Sequence, residues 1–244
     1  MKKKGLSGTA LKCLAIFAMT VDHVALVFFS AGTVLYYVMR LFGRLAAPIM
    51  TFMLVEGFRH TRSKKKYFRR MMLFAAISQP IYFLFMFGRM PVNALEYLTH
   101  WNIMFTLAVT LLVLMLFDNT KIPEVPSLIL LGTLISFSHF GDWSYVIPAW
   151  AIIFRCCKSD FRKMCLFYAA ASVILQTLVF IRPFESFAEF SFQYGTLFAL
   201  IPIWMYNGQR GNVRHKNPNR WFFYVYYPVH MVILLISRVD LRTL

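Results

Sequence analysis

The sequence is poor in charged residues, and poorest in acidic ones. Asp, Glu, Lys and Arg make up 15% of the 244 residues, and only 10 residues are acidic. A soluble domain carries about a quarter of its residues as charged side chains. Hydrophobic residues instead make up 59% of the chain. This composition excludes an ordinary soluble domain and indicates an all-α protein that folds in lipid.

Cysteines and familiar cofactor motifs are also scarce. The chain contains no GxGxxG, P-loop, HExxH or CxxC sequence, no repeat of fixed period and no linker. We therefore predict one domain over residues 1–244 and no bound metal. The four cysteines lie near the predicted cytoplasmic face, where thiols stay reduced, so we expect no disulfides. They are Cys13, Cys156, Cys157 and Cys165.

Basic residues outnumber acidic ones by 26 to 10, a balance that would suggest nucleic acid binding in a soluble protein. Here they occur in short clusters between apolar runs, which is the pattern of polytopic membrane proteins, so we predict no nucleic acid partner. The runs predict about nine membrane spans, within a range of eight to ten. The pair 127–140 and 143–155 fits either two short spans or one re-entrant hairpin. The spans are 11–29, 34–55, 71–87, 102–117, 127–140, 143–155, 164–181, 192–206 and 221–237.

The distribution of Lys and Arg predicts the orientation of these spans. With the N-terminus in the cytoplasm, 20 of these residues fall in inner loops and 4 in outer loops. The other two, Arg40 and Arg44, lie within the second span. Positive residues favour the cytoplasmic side, and one miscounted span would invert every later loop. We therefore predict a multi-pass protein of the cell membrane, in contact with lipid, with its N-terminus in the cytoplasm.

Ionisable residues occur deep within the first two spans. Asp22 and His23 lie about eleven residues into the first span, and Arg44 lies at a similar depth in the second. Insertion of each ionisable side chain at the bilayer centre costs about 2.5–3.5 kcal/mol of free energy. Its presence there therefore indicates a structural or functional role. An Asp–Arg pair that fixes helix packing is one interpretation. The adjacent histidine favours chemistry, since histidine is the usual general base near neutral pH.

A second polar region lies at the inner end of the second span. Glu56 and His60 are one helical turn apart, and residues 59–70 include seven Lys and Arg. Part of this charge anchors the topology, and the rest predicts a site for an anionic ligand such as nucleotide phosphates. His230, in the ninth span, is the other imidazole at bilayer depth, and Asn102 opens the fourth span.

Several segments together resemble the TraX family, membrane proteins associated with acetylation of conjugative pilin. The resemblance runs through nearly the whole chain, with two local departures: Ala47 replaces a usual Phe, and Asp142-Trp143-Ser144 replaces an Asp-Tyr-Gly-like turn. The segments are Met19–His23, Gly43–Pro48, Glu56–Thr61, Ala76–Pro80, Asn102–Leu107 and Phe223–His230.

The resemblance implies a transmembrane acetyltransferase that uses acetyl-CoA, similar to membrane O-acyltransferases and heparan-glucosaminide acetyltransferase. It implies His23 as general base, Asp22 as its orienting residue or as a partner of Arg44, and Arg44 as a group that polarises the thioester. His230 is a second candidate catalytic residue. The CoA would be bound by Arg59, His60, Arg62, Lys64 and Asn102.

The acceptor and the reaction class stay open at this point. A peptide N-terminus of a pilin-like protein is favoured, and a sugar or a small amine also fits. One rival is a proton-coupled transporter in which Asp22, His23 and Arg44 relay protons. The absence of detectable inverted repeats counts against it. Another is a non-catalytic membrane assembly factor.

The predicted topology can be tested with fused reporters. We expect a reporter after Leu244 to be active outside the cytoplasm, and one within residues 63–66 to be active inside it. Activity of both reporters on the same side would mean that the span count is wrong by an odd number.

Overall fold

The computed structural model describes residues 5–180, 190–211 and 218–243. Over these residues the chain is helical, with isolated β-bridges but no strand. Two 3-10 helices, Ser138–Phe140 and Phe192–Ala199, interrupt the α-helices. The α-helices are α1 (Gly8–Phe28), α2 (Val34–Gly43), α3 (Ala46–His60), α4 (Lys64–Phe87), α5 (Ala94–Thr99), α6 (Ile103–Phe117), α7 (Glu124–Phe137), α8 (Val146–Cys156), α9 (Phe161–Phe180), α10 (Leu200–Trp204) and α11 (Pro218–Thr243).

Four helical segments among the described residues are long and apolar enough to cross a membrane. They are Gly8–Phe28, Val34–His60, Lys64–Phe87 and Trp221–Arg238. Four other apolar segments are shorter, and the pair Glu124–Phe140 and Val146–Cys156 forms two separate helices joined by a turn. The prediction of an all-helical membrane protein is confirmed at this level. Each predicted apolar run overlaps a helix, since burial in lipid requires the backbone to satisfy its own hydrogen bonds.

The second predicted span is broken at Arg44–Leu45, between α2 and α3. Pro48 causes the break, because it has no N–H to bond to the carbonyl of Arg44, four residues earlier, and its ring displaces that carbonyl. Pro48 is the third residue of α3, in the first turn, where a missing N–H costs little. The break ends α2 with the Arg44 side chain inside the bundle, where it is 8% exposed.

The core is built around α3 and α6. Both helices are buried on most of their faces, and α6 carries no charged residue, as that position requires. Helix α3 packs against α1 and α8, and α6 packs against α4, α7 and α8. Helix α11 closes the bundle by packing against α1 and α4. This arrangement brings the polar residues of α1, α2 and α11 into one interior.

One end of the bundle collects positive charge. Here α3 ends at His60 and α4 begins at Lys64, and the segment after α10 lies against the start of α1. We call this the basic end. The opposite end, where α4 leads into α5 and α6 begins, we call the far end.

Gly43 lets α1 and α2 approach each other at the depth of Asp22. A Cβ atom at position 43 would overlap the Asp22 side chain. A Cβ atom placed on Gly132, in α7, would have no neighbouring atom within 4 Å. The two glycines therefore form a matched pair for substitution.

We expect Gly43→Ala to destabilise the fold by about 1–3 kcal/mol, since overpacking displaces a buried carboxylate. Gly132→Ala should be neutral or stabilise by about 0.5–1 kcal/mol, because alanine is the better helix former. Thermal unfolding of the two purified variants in one detergent measures the difference. Equal unfolding midpoints for the two variants would show that α1 and α2 can move apart at Gly43 without loss of stability.

Candidate functional site

A buried ionic cluster joins α1 to α2. Asp22 is 5% exposed and accepts hydrogen bonds from Arg40 Nη1 at 2.6 Å and from Arg44 Nη2 at 2.5 Å. Arg44 Nη1 also donates to Gln193 Oε1 at 3.3 Å. One carboxylate therefore holds two guanidinium groups, a pairing that offsets the cost of burying all three charges.

Aromatic rings cover both guanidinium groups. The Arg40 guanidinium lies 5.0 Å from the Phe192 ring centre, and that of Arg44 lies 5.1 Å from Trp143. Arg44 also lies 5.5 Å from Phe192. The rings remove water from the charges and add cation–π attraction. In both arginines the Nε atom is buried without a hydrogen-bond partner among the described residues.

The turn before α8 contributes a second carboxylate, that of Asp142. The two residues after it have left-handed backbone angles, with φ of 63° at Trp143 and 45° at Ser144. Such strain costs on the order of 1–3 kcal/mol per residue and persists where the surroundings fix it. Here Asp142 N–H donates to the Trp101 carbonyl at 2.8 Å, and Thr106 Oγ1 donates to the Asp142 carbonyl at 2.7 Å.

Asp142 belongs to the same electrostatic neighbourhood as the ionic cluster. Burial raises the pKa of Asp142 to about 6, and the nearby Arg44 charge opposes that rise. Its carboxylate also lies within electrostatic range of Tyr82 and Tyr227. From the sequence, Asp142 was identified only as part of a turn that departs from the family pattern. Positive φ angles at two consecutive residues indicate that the turn does more than connect two helices. These angles are visible only in the structure.

His23 forms a pair with His230 of α11. His23 Nδ1 lies 2.7 Å from His230 Nε2, and the two rings are nearly coplanar, at 2°. His230 Nδ1 lies 2.9 Å from the Tyr226 carbonyl. Because a carbonyl only accepts, His230 Nδ1 holds a hydrogen, and in the neutral ring Nε2 must then accept from His23 Nδ1. The lone pair of His23 is thereby placed on Nε2, which has no hydrogen-bond partner among the described residues.

Asp22 and His23 therefore belong to different contacts. They are adjacent on α1, so their side chains diverge by about 100° around the helix. Asp22 bonds to the arginines and His23 to His230, and no hydrogen bond joins Asp22 to His23. Of the two roles expected for Asp22, the pairing with Arg44 is the one present, and the Tyr226 carbonyl takes the place of a carboxylate in orienting the imidazoles.

A cavity of about 710 Å³ opens at the basic end. It extends between α1, α3, α4, α6 and α11, and its walls combine basic and aromatic side chains. The basic lining residues are Lys12, His60, Arg62, Lys66, Arg70 and Arg210, and the aromatic ones are Tyr67, Tyr206, Phe223 and Tyr224. Arg70 Nε is buried and has no partner among the described residues. This lining matches a ligand with several anionic groups and a ring system.

The residues predicted to bind the donor divide into two groups. His60 and Arg62 line the cavity. Arg59 and Lys64 are not among its lining residues: Arg59 lies 3.7 Å from Glu56, and Lys64 packs over the Phe58 ring at 4.1 Å. A count of basic residues in a loop does not distinguish between them, because it does not show which way each side chain projects.

Asn102 also lies outside the cavity lining. Its amide nitrogen donates to the Ala75 carbonyl and to Gln79 Oε1, both at 2.8 Å, and its Oδ1 caps α6 by accepting from Met104 N–H. Asn102 is 0% exposed, and both polar atoms are used: the nitrogen joins α6 to α4, and the oxygen caps α6. Asn102 therefore fixes the start of α6 and has no free group for a cofactor.

Glu56 is the acidic residue among the described residues that line the cavity. It is 5% exposed, and Lys158 Nζ lies 2.9 Å from its Oε1. Tyr206 donates to Glu56 Oε2 at 3.5 Å, and burial, together with the Glu56 charge, raises the pKa of Tyr206. These partners balance the Glu56 charge, so the cavity remains basic.

The cavity extends from the basic end toward the histidine pair. Met104, at the start of α6, belongs to its lining. On α11, the Tyr227 ring lies 5.8 Å from the His230 ring. The lining does not include His23 or His230. Tyr224, which does line the cavity, precedes His230 by six residues on the same helix, a separation of about 9 Å along the helix axis. Among the described residues, no group of three His, Cys, Asp or Glu is arranged to hold a metal ion.

The ionic cluster gives a stability prediction. We expect Asp22→Asn to destabilise the protein by about 3–5 kcal/mol, because it leaves two buried guanidinium groups without their anion. Glu96→Gln is the matched control, since Glu96 pairs with Arg89 at 2.5 Å on an exposed surface, where such pairs contribute little. Thermal unfolding in detergent compares the two. Similar losses for both variants would mean that the Asp22 cluster does not stabilise the bundle.

Comparison with known proteins agrees with this architecture. A curated relative from Dichelobacter nodosus, the probable fimbrial assembly protein FimC of serogroup H1, is 31% identical over 239 residues, which span 97% of each chain. No solved structure matches. The family model described as TraX protein matches residues 7–238, which include the ionic cluster, the histidine pair and the basic cavity. The chain therefore belongs to the TraX family.

Proposed function

We propose that this protein is a membrane-embedded acetyltransferase that moves an acetyl group from acetyl-CoA to an acceptor amine or hydroxyl. The observation that supports this most directly is the cavity. Its lining combines basic and aromatic side chains, and Tyr224 in that lining lies six residues before His230 on α11. His230 in turn pairs with His23, whose Nε2 lone pair is available. A long donor with phosphates at one end and a reactive thioester at the other matches this layout.

The donor phosphates bind at Arg62, Lys66 and Arg70 in this proposal. All three line the cavity at the start of α4, and the unpartnered Nε of Arg70 adds a donor that a phosphate oxygen satisfies. Arginine binds phosphate through paired N–H groups, and lysine binds it as a point charge. The pantetheine arm extends along the aromatic walls toward Met104.

His23 acts as the general base on the acceptor. Its Nε2 takes the proton as the acceptor nitrogen or oxygen forms a bond to the thioester carbonyl carbon. The carbon–sulfur bond then breaks, and the departing CoA thiolate takes the same proton from Nε2. His230 holds the ring of His23 in the required tautomer. Arg44 and Arg40 add positive charge near the reaction centre, where the carbonyl oxygen becomes negative.

The proposal includes an orientation in the cell membrane. Nine helical segments cross the bilayer, with the N-terminus and the basic end in the cytoplasm, where acetyl-CoA is available. Support comes from the 20-to-4 distribution of Lys and Arg. The segments Ile103–Phe117 and Val146–Cys156 are shorter than a full span. They cross the membrane where the apolar layer is locally thinner, beside the polar interior of the bundle.

An acceptor outside the cytoplasm is consistent with the named relative. FimC is described as a probable fimbrial assembly protein, and fibre subunits pass through the membrane before they assemble. We propose the exposed N-terminus of such a subunit as the acceptor. A purely structural role in fibre assembly is the second candidate, favoured by the same relative's name.

The proposal can be tested by measuring acetyl-CoA binding and acetyl transfer on the same purified protein. We expect His23→Ala to retain donor binding and to lose turnover by about 10²–10⁴-fold, the usual contribution of a general base. His230→Ala should lose turnover to a similar or smaller extent, because it removes the group that fixes the His23 tautomer. Arg70→Gln should weaken acetyl-CoA binding, whereas Arg69→Gln, an exposed neighbour that does not line the cavity, should not.

Arg69→Gln is the matched control, since it removes an equal charge from the same topogenic cluster. Absence of acetyl-CoA binding by the wild-type protein would overturn the proposal. Normal turnover in both histidine variants would leave the pair a structural role and would favour the assembly function.

A further inference from the structure

Two basic residues of the cavity come from a part of the fold that is separate from α4. Lys12 lies in the second turn of α1, and Arg210 lies in the segment that follows α10. Arg62, Lys66 and Arg70 instead belong to the start of α4. The cavity therefore has two sources of positive charge.

Backbone hydrogen bonds hold Lys12 and Arg210 side by side. Leu6 N–H donates to the Met205 carbonyl at 2.8 Å, and Asn207 N–H donates back to Leu6 at 3.0 Å. Gly8 and Thr9, in the first turn of α1, donate their N–H groups to the carbonyls of Gln209 and Arg210. The start of a helix has N–H groups without partners in the helix, and this segment satisfies two of them. The arrangement of the two cations is thus built into the fold.

Neither cation is neutralised by an acidic side chain among the described residues. Lys12 and Arg210 are close enough to repel each other, and Lys12 Nζ contacts only the Phe223 ring, at 5.3 Å from its centre. Glu56, the acidic residue of the cavity lining, is bonded to Lys158. Lys12 is half-buried and Arg210 is exposed, and two like charges held close together favour an anion that binds between them.

Aromatic residues also line the cavity. Tyr67, Tyr206 and Tyr224 line the cavity together with Phe223. Flat aromatic walls bind a purine ring by stacking. An aromatic ring adjoins each group of cations: Arg70 lies 5.6 Å from the Tyr67 ring centre, and Lys12 lies 5.3 Å from that of Phe223.

We propose that Lys12 and Arg210 form a second anion subsite, which binds a phosphate monoester on the nucleotide of the donor. This inference rests on the proposed function: in CoA, the diphosphate meets the α4 cations and the ribose 3′-phosphate meets Lys12 and Arg210. The subsite makes the protein selective for CoA over its analogue without the 3′-phosphate. Selection then occurs at the nucleotide end of the donor, remote from the reacting thioester.

The experiment compares the binding of CoA and of dephospho-CoA to the purified full chain by isothermal titration. Wild-type protein should bind CoA about ten- to a hundredfold more tightly, the range expected for charge-assisted contacts. Arg210→Gln and Lys12→Gln should each lose about tenfold in CoA affinity and leave dephospho-CoA affinity within about twofold. Lys66→Gln should weaken both ligands alike, because its contact is with the shared diphosphate.

Lys65→Gln is the matched control, since Lys65 is exposed and does not line the cavity. Lys12→Arg should restore the preference if the charge, rather than the fold of α1, is what matters. Equal affinity of the wild-type protein for both ligands would overturn the subsite and leave the proposed function intact. Binding of neither ligand would overturn the proposed function itself.

Discussion

The ion pairing of Asp22 with Arg40 and Arg44 determines how the first helices of this protein meet. A carboxylate at bilayer depth requires cations, and the two arginines supply them from one face of α2. The contact needs a close approach, which Gly43 permits, and a sharp end to α2, which Pro48 imposes. The cluster fixes α1, and α1 in turn presents His23 to α11. The position of the histidine pair therefore depends on the ionic cluster, although the two share no hydrogen bond.

The residues of the basic end are subject to two different requirements, one for membrane orientation and one for a binding site. Positive charge at the mouth of a helical hairpin orients the chain in the membrane, whatever the direction of each side chain. A binding site instead requires particular side chains to converge. Arg69 and Arg70 illustrate the division, since the first is exposed and the second lines the cavity. A basic loop can therefore acquire a ligand site without any change in its total charge.

Much of the fold could be predicted from the sequence, because lipid leaves few choices. An apolar run in a membrane must be helical, so the positions of the helices follow from hydrophobicity alone. A break in the second span could also be predicted, because Pro48 cannot donate a hydrogen bond to the carbonyl four residues earlier. The depth of Asp22 and Arg44 indicated their proximity, because two consecutive helices that run in opposite directions align residues at equal distance from the loop.

The parts of the site that the sequence did not reveal depend on rotation and on distant pairing. Helix phase decides that His23 faces His230 rather than Asp22, and nothing local to α1 specifies that choice. The same holds for Asn102, whose amide could face a cavity or, as it does, bond to α4. Lys12 and Arg210 were not predicted to act together, since they are far apart in the chain. The strained turn at Trp143 and Ser144 was indicated only by the resemblance, in which an Asp-Tyr-Gly-like turn has glycine at the position of Ser144, since Trp and Ser themselves favour other backbone angles.

The pairing of the start of α1 with the segment after α10 has a consequence for biogenesis. Thr9 and Arg210 are 201 residues apart, and α1 leaves the ribosome long before its partner is made. During synthesis, the N–H groups of its first turn must therefore remain in contact with water or headgroups at the membrane surface. That requirement keeps the beginning of α1 at the interface until the last helices are inserted. Closure of the basic cavity is then the final step of assembly, so an incompletely translated chain lacks a complete cavity.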